Sequence, residues 1–413
     1  MIVINLRRQL IKNFMSVGAM YMLGIPVALL SNIILARTLG PEAFGQYVFM
    51  MSLLSLLALP VAAGIPQLLT REVATYTHGG QWRLYHGAIR AAYLWVIGLS
   101  LLMLALYSTA GPLAGWLPVE GKWALLGIVI LLVPLQGLNA VRNGTIKGLG
   151  FPAQAELPTQ LIQPLLLLAA FAVLAALGVL NAEAALWLQV GVGALTFLIA
   201  SLLFLRVRPL EARNMGVDYQ SRTWLVALLP FGLITLVGSF NAQISIVLLG
   251  YLGTDEAVAA LRIADRGAQF VVLSLALVNM VVSPYIVKIH RDGDKERLQQ
   301  ISRQTARGAF LISLFVCLIL VLFGKVLIRL TFGEEYVKPA YIPMVIMSLG
   351  YLFSVGLGAA APLLAMSGHE NLMLRGQLTG LAAIAIGAVV LIPYFQAVGA
   401  AIAISIGQVV WNG

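Results

Sequence analysis

The chain has 413 residues, of which 60% are hydrophobic and only 10% are charged. A water-soluble domain is nearer half apolar and about a quarter charged, so this composition excludes an ordinary soluble protein. In lipid the backbone must satisfy its own hydrogen bonds, which leaves helices or closed barrels. The apolar runs are about twenty residues long and do not alternate, which indicates transmembrane helices rather than barrel strands.

The formal net charge is +10, which in a soluble protein would suggest nucleic-acid binding. In a membrane protein the positive-inside rule accounts for such an excess, so we expect no nucleic-acid partner. The single cysteine, Cys317, lies within an apolar run, and we interpret it as a small core residue. The sequence has no metal-ligand spacing, Walker motif or nucleophile elbow, so we predict no metal site, no bound cofactor and no catalytic residue.

Taken in chain order, the apolar segments predict an all-α polytopic membrane protein with about 12 transmembrane helices. Residues 1–13 are expected to form a short interfacial helix before the first span. The last span is about fifteen residues long, which is short for a hydrocarbon core of ~30 Å, so we expect it to continue beyond residue 413. The predicted spans are 14–36, 43–68, 88–110, 123–146, 158–180, 184–205, 224–249, 257–285, 307–328, 340–366, 373–395 and 397–411.

The basic residues are unevenly divided between the two sides that these spans define. Counting loops alternately from the N-terminus, 19 of the 26 basic residues fall on the N-terminal side and 7 on the other. The bias predicts that the N-terminus lies in the cytoplasm. It also supports the number of spans, because one missed span would scramble the alternation.

A short internal repeat predicts two lobes. Residues 35–45 close span 1 and open span 2, and residues 249–257 do the same for spans 7 and 8. Both copies contain Leu-Gly, then a helix breaker or cap, then an acidic residue before Ala. The copies lie six spans apart, so the repeat is parallel, as in some transporters. We predict two six-helix lobes with a central cleft: residues 1–210, a cytoplasmic linker at 211–223, and residues 224–413.

The first copy of the repeat also carries a resemblance to a known family. Residues 37–47 read Arg-x-Leu-Gly-Pro-Glu-x-Phe-Gly-x-Tyr, and Gly64 and Arg71-Glu72-Val73-Ala74 follow. This string resembles the opening of the polysaccharide flippases, the exporters of O-antigen and capsule repeat units in the multidrug/oligosaccharidyl-lipid/polysaccharide superfamily. The second lobe departs from the family pattern, with Ser245 in span 7 where an acidic residue often lies.

The resemblance implies a function, a cargo and a location. The chain would translocate an undecaprenyl-pyrophosphate-linked oligosaccharide across the bacterial cytoplasmic membrane by alternating access, for cell-surface polysaccharide such as lipopolysaccharide O-antigen. It would be a transporter rather than an enzyme, coupled to a proton or sodium gradient. Its partners would be the lipid-linked oligosaccharide, the lipid bilayer and polysaccharide polymerase machinery.

Candidate binding residues follow from the charge of such a cargo, because a pyrophosphate needs cations in a wet cleft and the arginine fork binds phosphate bidentately. Arg262, Asp265 and Arg266 share one face of early span 8. In one interpretation they form a cleft-facing cluster in which Asp265 orients the arginines or takes a proton. In the other they form a self-neutralised patch near the outer surface.

Two further arginines and several amides are weaker candidates. Arg37 ends span 1 and either meets phosphate or anchors the helix end in the headgroups. Arg142 lies in late span 4, with Asn139 about one turn before it and Asn143 next to it, a polar face that either lines the cytoplasmic mouth or packs structurally. Uncharged polar residues inside spans are candidates for sugar binding or for interhelical hydrogen bonds; they include Asn32, Asn241 and Gln243.

Two other functional classes compete with this hypothesis. A multidrug cation antiporter of the same superfamily would need carboxylates in the cavity of the first lobe, and spans 1 to 6 have none near mid-membrane. A membrane-embedded polysaccharide ligase or polymerase would need a sizeable outer loop with catalytic groups, and none of the predicted outer loops is long enough.

Overall fold

The computed structural model describes the backbone of residues 2–114, 121–211, 215–291, 295–357 and 370–412, with side chains except at 2–14, 110–114, 274–303, 305, 370–371 and 373. The predicted fold class is confirmed, because the described chain is helical and contains no strand. The α-helices are α1 (Ile2–Leu57), α2 (Leu59–Ala62), α3 (Ile65–His78), α4 (Trp82–Ala114), α5 (Leu126–Gly148), α6 (Pro152–Leu157), α7 (Gln163–Ala176), α8 (Ala182–Val207), α9 (Ser221–Leu252), α10 (Asp255–Arg291), α11 (Lys295–Thr331), α12 (Val337–Gly356) and α13 (Glu370–Asn412).

Within the described residues, nine helical segments are long and apolar enough to cross a membrane. Two of them contain a kink that separates two of the predicted spans, at Gly40 in α1 and at Gln396 in α13. These kinks and the helix α10, which corresponds to predicted span 8, account for the difference from twelve. The surfaces carry many exposed leucines, such as Leu322 at 71% and Leu330 at 68% exposure, as a chain solvated by lipid requires. The protein is a multi-pass membrane protein.

The predicted interfacial helix at residues 1–13 is not separate from span 1, because α1 is continuous from Ile2. Its side chains lie outside the described residues. The predicted span 10 reached residue 366, but α12 ends at Gly356 and residues 358–366 also lie outside the described part.

Span 2 was predicted as one helix over residues 43–68, and this prediction was wrong. The helix stops at Leu57, a short turn of helix follows, and α3 begins after Gly64, whose φ of 76° is left-handed. Proline lacks an amide hydrogen and glycine alone adopts this φ without strain, so Pro60, Gly64 and Pro66 together interrupt the ladder. The second piece then continues to His78.

The described chain divides into two compact units. Unit 1 comprises residues Met1–Thr38 and Leu53–Leu236, and unit 2 comprises Leu39–Ser52 and Val237–Gly413. The two repeat lobes predicted from the sequence, 1–210 and 224–413, are a different kind of division, because they follow the internal repeat rather than the packing. They stay a prediction.

Helix α5 forms the centre of unit 1, where it packs against α3, α4 and α8. Glycines on α5 let α3 approach closely: a β-carbon on Gly144 would lie 2.7 Å from the backbone of Pro66, and one on Gly148 would lie 2.6 Å from Val73. This packing fixes the position of Arg142, which lies on the same helix.

In unit 2, α10 packs against α11 and α12, and α12 packs against α13. The two copies of the internal repeat meet here. A β-carbon on Gly45 would lie 1.8 Å from the carbonyl oxygen of Asp255, and one on Gly250 would lie 2.1 Å from the ring of Phe49. Glycine at these positions is therefore needed for close approach, a requirement that the repeat alone could not reveal.

Candidate functional site

The first candidate cluster lies on α10, whose N-terminus is firmly held. The Thr254 hydroxyl accepts a hydrogen bond from the amide of Ala257 at 3.2 Å, the usual arrangement of an N-cap. The amide of Thr254 in turn donates to Oε1 of Gln396, at the kink of α13, at 3.1 Å. Two turns into this helix the chain presents Arg262, Asp265 and Arg266, all partly buried inside unit 2.

Asp265 accepts two hydrogen bonds. Nε2 of Gln269 donates to Oδ2 at 2.7 Å, and the Tyr351 hydroxyl, from α12, donates to Oδ1 at 3.2 Å. Each bond to an ionised carboxylate is charge-assisted, so the pair fixes the orientation of the side chain. The carboxylate is thus held by neutral donors.

The two arginines contact neutral groups as well. Arg262 donates to the Ser52 hydroxyl at 3.3 Å, and Arg266 donates to Oε1 of Gln269 at 3.3 Å. The Nε of Arg266 is buried without a hydrogen-bond partner. Within the part of α10 whose side chains the structure describes, no ion pair joins either arginine to Asp265. The carboxamide of Gln269 instead bridges Asp265 and Arg266.

The geometry lacks the direct ion pairs that would let Asp265 orient or neutralise the arginines, and the two interpretations of this cluster otherwise stay predictions. Asp265 does not orient the arginines through direct ion pairs, and the group is not neutralised by such pairs either. Gln269, one turn after Asp265, and Tyr351 each donate to one oxygen of the carboxylate. Two positive charges remain beside one negative charge in the interior of the unit.

The second candidate, Arg142, lies in unit 1 inside a ring of aromatic side chains. Its Nε donates to the Ser201 hydroxyl at 3.1 Å. The guanidinium carbon lies 4.5 Å from the ring centroid of Phe204, 5.3 Å from that of Tyr93 and 5.8 Å from that of Phe197. A cation is attracted to the face of an aromatic ring at these distances. We call these three rings and Ser201 the Arg142 cage.

The Arg142 cage contains no carboxylate, so it solvates the cation without neutralising it. The hydroxyls of Tyr85 and Tyr93 and Oδ1 of Asn139 are buried without a partner in the described structure. The amide of Asn143 is used structurally, since it donates to the carbonyl oxygen of Ala155 at 3.1 Å. The polar face predicted from the two asparagines therefore splits into one bonded and one unbonded residue.

The remaining predicted residues lie on α1 and α9. Arg37 is exposed where the first segment of α1 ends. Asn32 donates to Ala28 of its own helix at 2.7 Å. Asn241 donates to the carbonyl oxygens of Val237 at 3.0 Å and of Gln377 at 3.4 Å, which is an interhelical role in unit 2. Oε1 of Gln243 is buried without a partner.

Two acidic residues near span ends form ion pairs within unit 1. Glu72 pairs with Arg71 at 2.6 Å. Glu156 is 6% exposed on α6 and pairs with Lys147 at 2.5 Å. A buried carboxylate needs such a partner, because isolated burial of its charge is costly.

The sequence reasoning missed most of the partners. Gln269 lies four residues after Asp265 on the same helix, and that spacing could have revealed it. Tyr351 and Ser52 come from distant parts of the chain, and no spacing signal points to them. The three rings of the Arg142 cage likewise come from two other helices. No group of three or more metal-ligating side chains occurs among the described residues.

Comparison with known proteins decides the family. Residues 10–290 match the sequence profile of the family described as polysaccharide biosynthesis protein. The chain belongs to this family. The family predicted from residues 37–47 is therefore confirmed. A second profile, MatE, matches residues 230–375. No curated protein matches the sequence significantly.

Several solved structures share the fold of this chain. An inward-facing multidrug resistance MATE transporter of the MOP superfamily matches with a TM-score of 0.72 at 16% identity, over 94% of this chain and 92% of that one. The lipid II flippase MurJ, in an inward closed conformation, matches with a TM-score of 0.73 at 12% identity, over 96% of this chain and 85% of that one. A MOP-superfamily transporter from Pyrococcus furiosus matches with a TM-score of 0.61 at 17% identity, over 97% and 93%.

These matches show that the chain has the fold of the MATE transporters and of the lipid II flippase.

Proposed function

We propose that this protein translocates a lipid-linked oligosaccharide with a pyrophosphate head group across the bacterial cytoplasmic membrane, by alternating access. One observation carries the proposal: each unit holds partly buried arginines inside its helices without an ion-pair partner among the described residues. These are Arg142 in unit 1 and Arg262 and Arg266 in unit 2.

The charge of these arginines argues for an anionic cargo. A charged side chain within a span costs roughly 3 kcal/mol or more unless water or a partner stabilises it. Arg142 is stabilised by aromatic rings, and Arg266 keeps a buried Nε without a partner. Guanidinium groups with unused donors are suited to bind phosphate oxygens, which accept two parallel hydrogen bonds.

Orientation and coupling belong to the same proposal. The basic bias of 19 to 7 supports a cytoplasmic N-terminus. Asp265 is a carboxylate within a membrane helix that lacks a direct ion pair, so we propose it as the group that binds the coupling proton or sodium ion. Polysaccharide polymerase machinery would then receive the product on the outer side.

The test is reconstitution of the full chain into liposomes that contain a fluorescent lipid-pyrophosphate oligosaccharide. A membrane-impermeant quencher reports how fast the label changes leaflet, with and without an imposed ion gradient. We expect rapid exchange with the wild type, a large loss with Arg142→Gln or Arg262→Gln, and no change with Arg206→Gln, an exposed arginine of α8. Exchange no faster than in protein-free vesicles would remove the proposal.

A second candidate, a multidrug cation antiporter, is favoured by the MatE match over residues 230–375 and by the carboxylate of Asp265. The same liposomes distinguish it, because a cationic dye would then accumulate against an opposed proton gradient. In that case neutralising Arg142 would leave transport intact or improve it. Loss of dye transport with Asp265→Asn and no lipid exchange would establish the antiporter instead.

A further inference from the structure

The region of unit 1 around the Arg142 cage contains buried polar atoms that the described protein leaves unpaired. Tyr85 is 1% exposed, and its hydroxyl has no hydrogen-bond partner among the described residues. The Tyr93 hydroxyl and Oδ1 of Asn139 are buried in the same state. Buried polar atoms are nearly always bonded to protein, water or a ligand, because an unpaired one lowers stability. These three atoms therefore indicate that a further polar group binds here.

The unpaired atoms lie near the free end of Arg142. The Nε of Arg142 donates to Ser201, whereas its two terminal nitrogens have no acceptor among the described residues. Arg142 is only partly buried, and these nitrogens are not among the fully buried unpaired atoms, so they keep accessible surface. The ring centroid of Tyr93 lies 5.3 Å from the guanidinium carbon, and the charge of Arg142 acts on the hydroxyls of both Tyr85 and Tyr93. Asn139 lies about one turn before Arg142 on α5.

Most of the unpaired groups are hydrogen-bond donors. Each terminal nitrogen of a guanidinium carries two N–H donors, and each tyrosine hydroxyl donates one hydrogen. The one unpaired acceptor is the amide oxygen of Asn139, and rotation of that amide by half a turn presents its NH2 group instead. Donors gathered around a cation suit an oxyanion, and the arginine fork binds the oxygens of a phosphate group bidentately.

The cage lies near the ends of its helices, on the basic side of the chain. Tyr85 is in the first turn of α4, and Phe204 is in the last turn of α8. Arg208, which directly follows α8, is exposed and lies close enough for its charge to act on the Tyr85 hydroxyl. These helix ends belong to the side that carries 19 of the 26 basic residues. A phosphate group in the headgroup layer of that side is therefore at the level of the cage.

We infer that Arg142, Tyr85 and Tyr93 form a binding site for a phosphate oxyanion, and that this site receives the pyrophosphate of the cargo at the basic end of unit 1. The identity of the cargo rests on the proposed function. The terminal nitrogens of Arg142 and the two hydroxyls donate to the phosphate oxygens, while the rings of the cage hold the guanidinium. Tyr85 and Tyr93 are about two turns apart on α4, which suits a group with several oxygens better than a single halide ion.

The binding test uses the full chain in detergent, with inorganic pyrophosphate, inorganic phosphate and chloride as probes at constant ionic strength. A ligand that binds the folded state raises the unfolding temperature, and the concentration dependence of that rise gives its affinity. We expect binding of pyrophosphate, weaker binding of phosphate and none of chloride. Arg142→Gln should abolish the binding of pyrophosphate.

Two conservative variants carry the test even if Arg142→Gln fails to fold. Tyr85→Phe and Tyr93→Phe should each weaken pyrophosphate binding about tenfold, because each removes a hydrogen bond to a charged group. Without pyrophosphate, both variants should be no less stable than the wild type, because the lost hydroxyls have no partner in the described protein. Tyr219→Phe, at a residue of unit 1 that is 48% exposed, is the matched control and should change neither quantity.

Equal binding of chloride and pyrophosphate would overturn the inference. So would pyrophosphate binding that survives both tyrosine substitutions unchanged, since water would then be the partner of the hydroxyls. Lipid exchange in liposomes separates this failure from that of the proposed function. Wild-type exchange together with unchanged pyrophosphate binding in the tyrosine variants would remove only the inference. Tyrosine-dependent pyrophosphate binding without any lipid exchange would leave a site for free phosphates and overturn its assignment to the cargo.

Discussion

The Arg142 cage of unit 1 and the α10 cluster of unit 2, which consists of Arg262, Asp265 and Arg266, hold arginines inside membrane helices in different ways. In the cage, the faces of Phe204, Tyr93 and Phe197 surround one guanidinium, and one hydroxyl accepts a hydrogen bond. In the α10 cluster, the partners of the charged groups are hydroxyls and an amide. In the first arrangement cation–π contacts stabilise the arginine, and in the second a network of hydrogen bonds does.

The difference has a consequence for transport. The cage contains no carboxylate beside Arg142, so the positive charge of its guanidinium is not neutralised there and stays fixed. The α10 cluster includes Asp265, which we propose as the binding group of the coupling ion, so the net charge of that cluster would change during transport. A fixed positive charge in one unit and an adjustable one in the other would suit the ion-coupled export of an anion that we propose. The following substitutions test that division.

The largest effect is expected from removing the positive charge of the α10 cluster with Arg262→Gln together with Arg266→Gln. A hydrogen bond to a charged group contributes about 1.5–3 kcal/mol, so each lost arginine should slow lipid exchange roughly tenfold or more. The liposome exchange assay measures this. Lys338→Gln, an exposed lysine of the same unit, is the control. Wild-type exchange in the double variant would show that this cluster has no part in binding.

A smaller and more specific effect is expected from Asp265→Asn, which keeps the shape of the side chain and removes its charge. Exchange should persist in the absence of a gradient but should no longer respond to an imposed proton or sodium gradient. Glu256→Gln, an exposed acid in the first turn of the same helix, should respond like the wild type. If gradient dependence survives in Asp265→Asn, the adjustable charge of the comparison does not reside in this cluster.

The sequence predicted the two arginine groups but not what holds them. The long apolar runs identified the spans, because hydrophobic length is a strong local signal. Helical spacing placed Arg262, Asp265 and Arg266 on one face. Two rings of the cage, Phe197 and Phe204, lie more than fifty residues after Arg142 in the sequence. No local pattern encodes such a contact. At the break near Gly64 the sequence has a glycine between two prolines, which favours an interruption. The continuous apolar run around it favoured a single helix instead, and the prediction followed the run.

The aromatic side of the comparison is tested by Phe204→Leu, which removes the ring closest to Arg142 and keeps an apolar side chain. A cation–π contact contributes about 0.5–2 kcal/mol, so the free energy of unfolding should fall by about that amount. Thermal unfolding in detergent measures it. Phe151→Leu, at a ring that is 40% exposed, should have a smaller effect. An equal loss in both variants would mean that the cage is ordinary apolar packing.

The smallest effect is expected from Tyr351→Phe, which removes one of the two hydrogen bonds to Asp265. The net contribution of such a bond is about 1 kcal/mol, and Tyr394→Phe, at a residue that is 80% exposed, should be neutral. The double variant with Asp265→Asn is the sharper measurement, because contacting residues couple and their effects do not add. If the hydroxyl acts through the carboxylate, Tyr351→Phe should cost less stability in the Asp265→Asn background than in the wild type. Additive losses would show that Tyr351 stabilises α12 by itself, and the network of unit 2 would then be no more than a set of separate contacts.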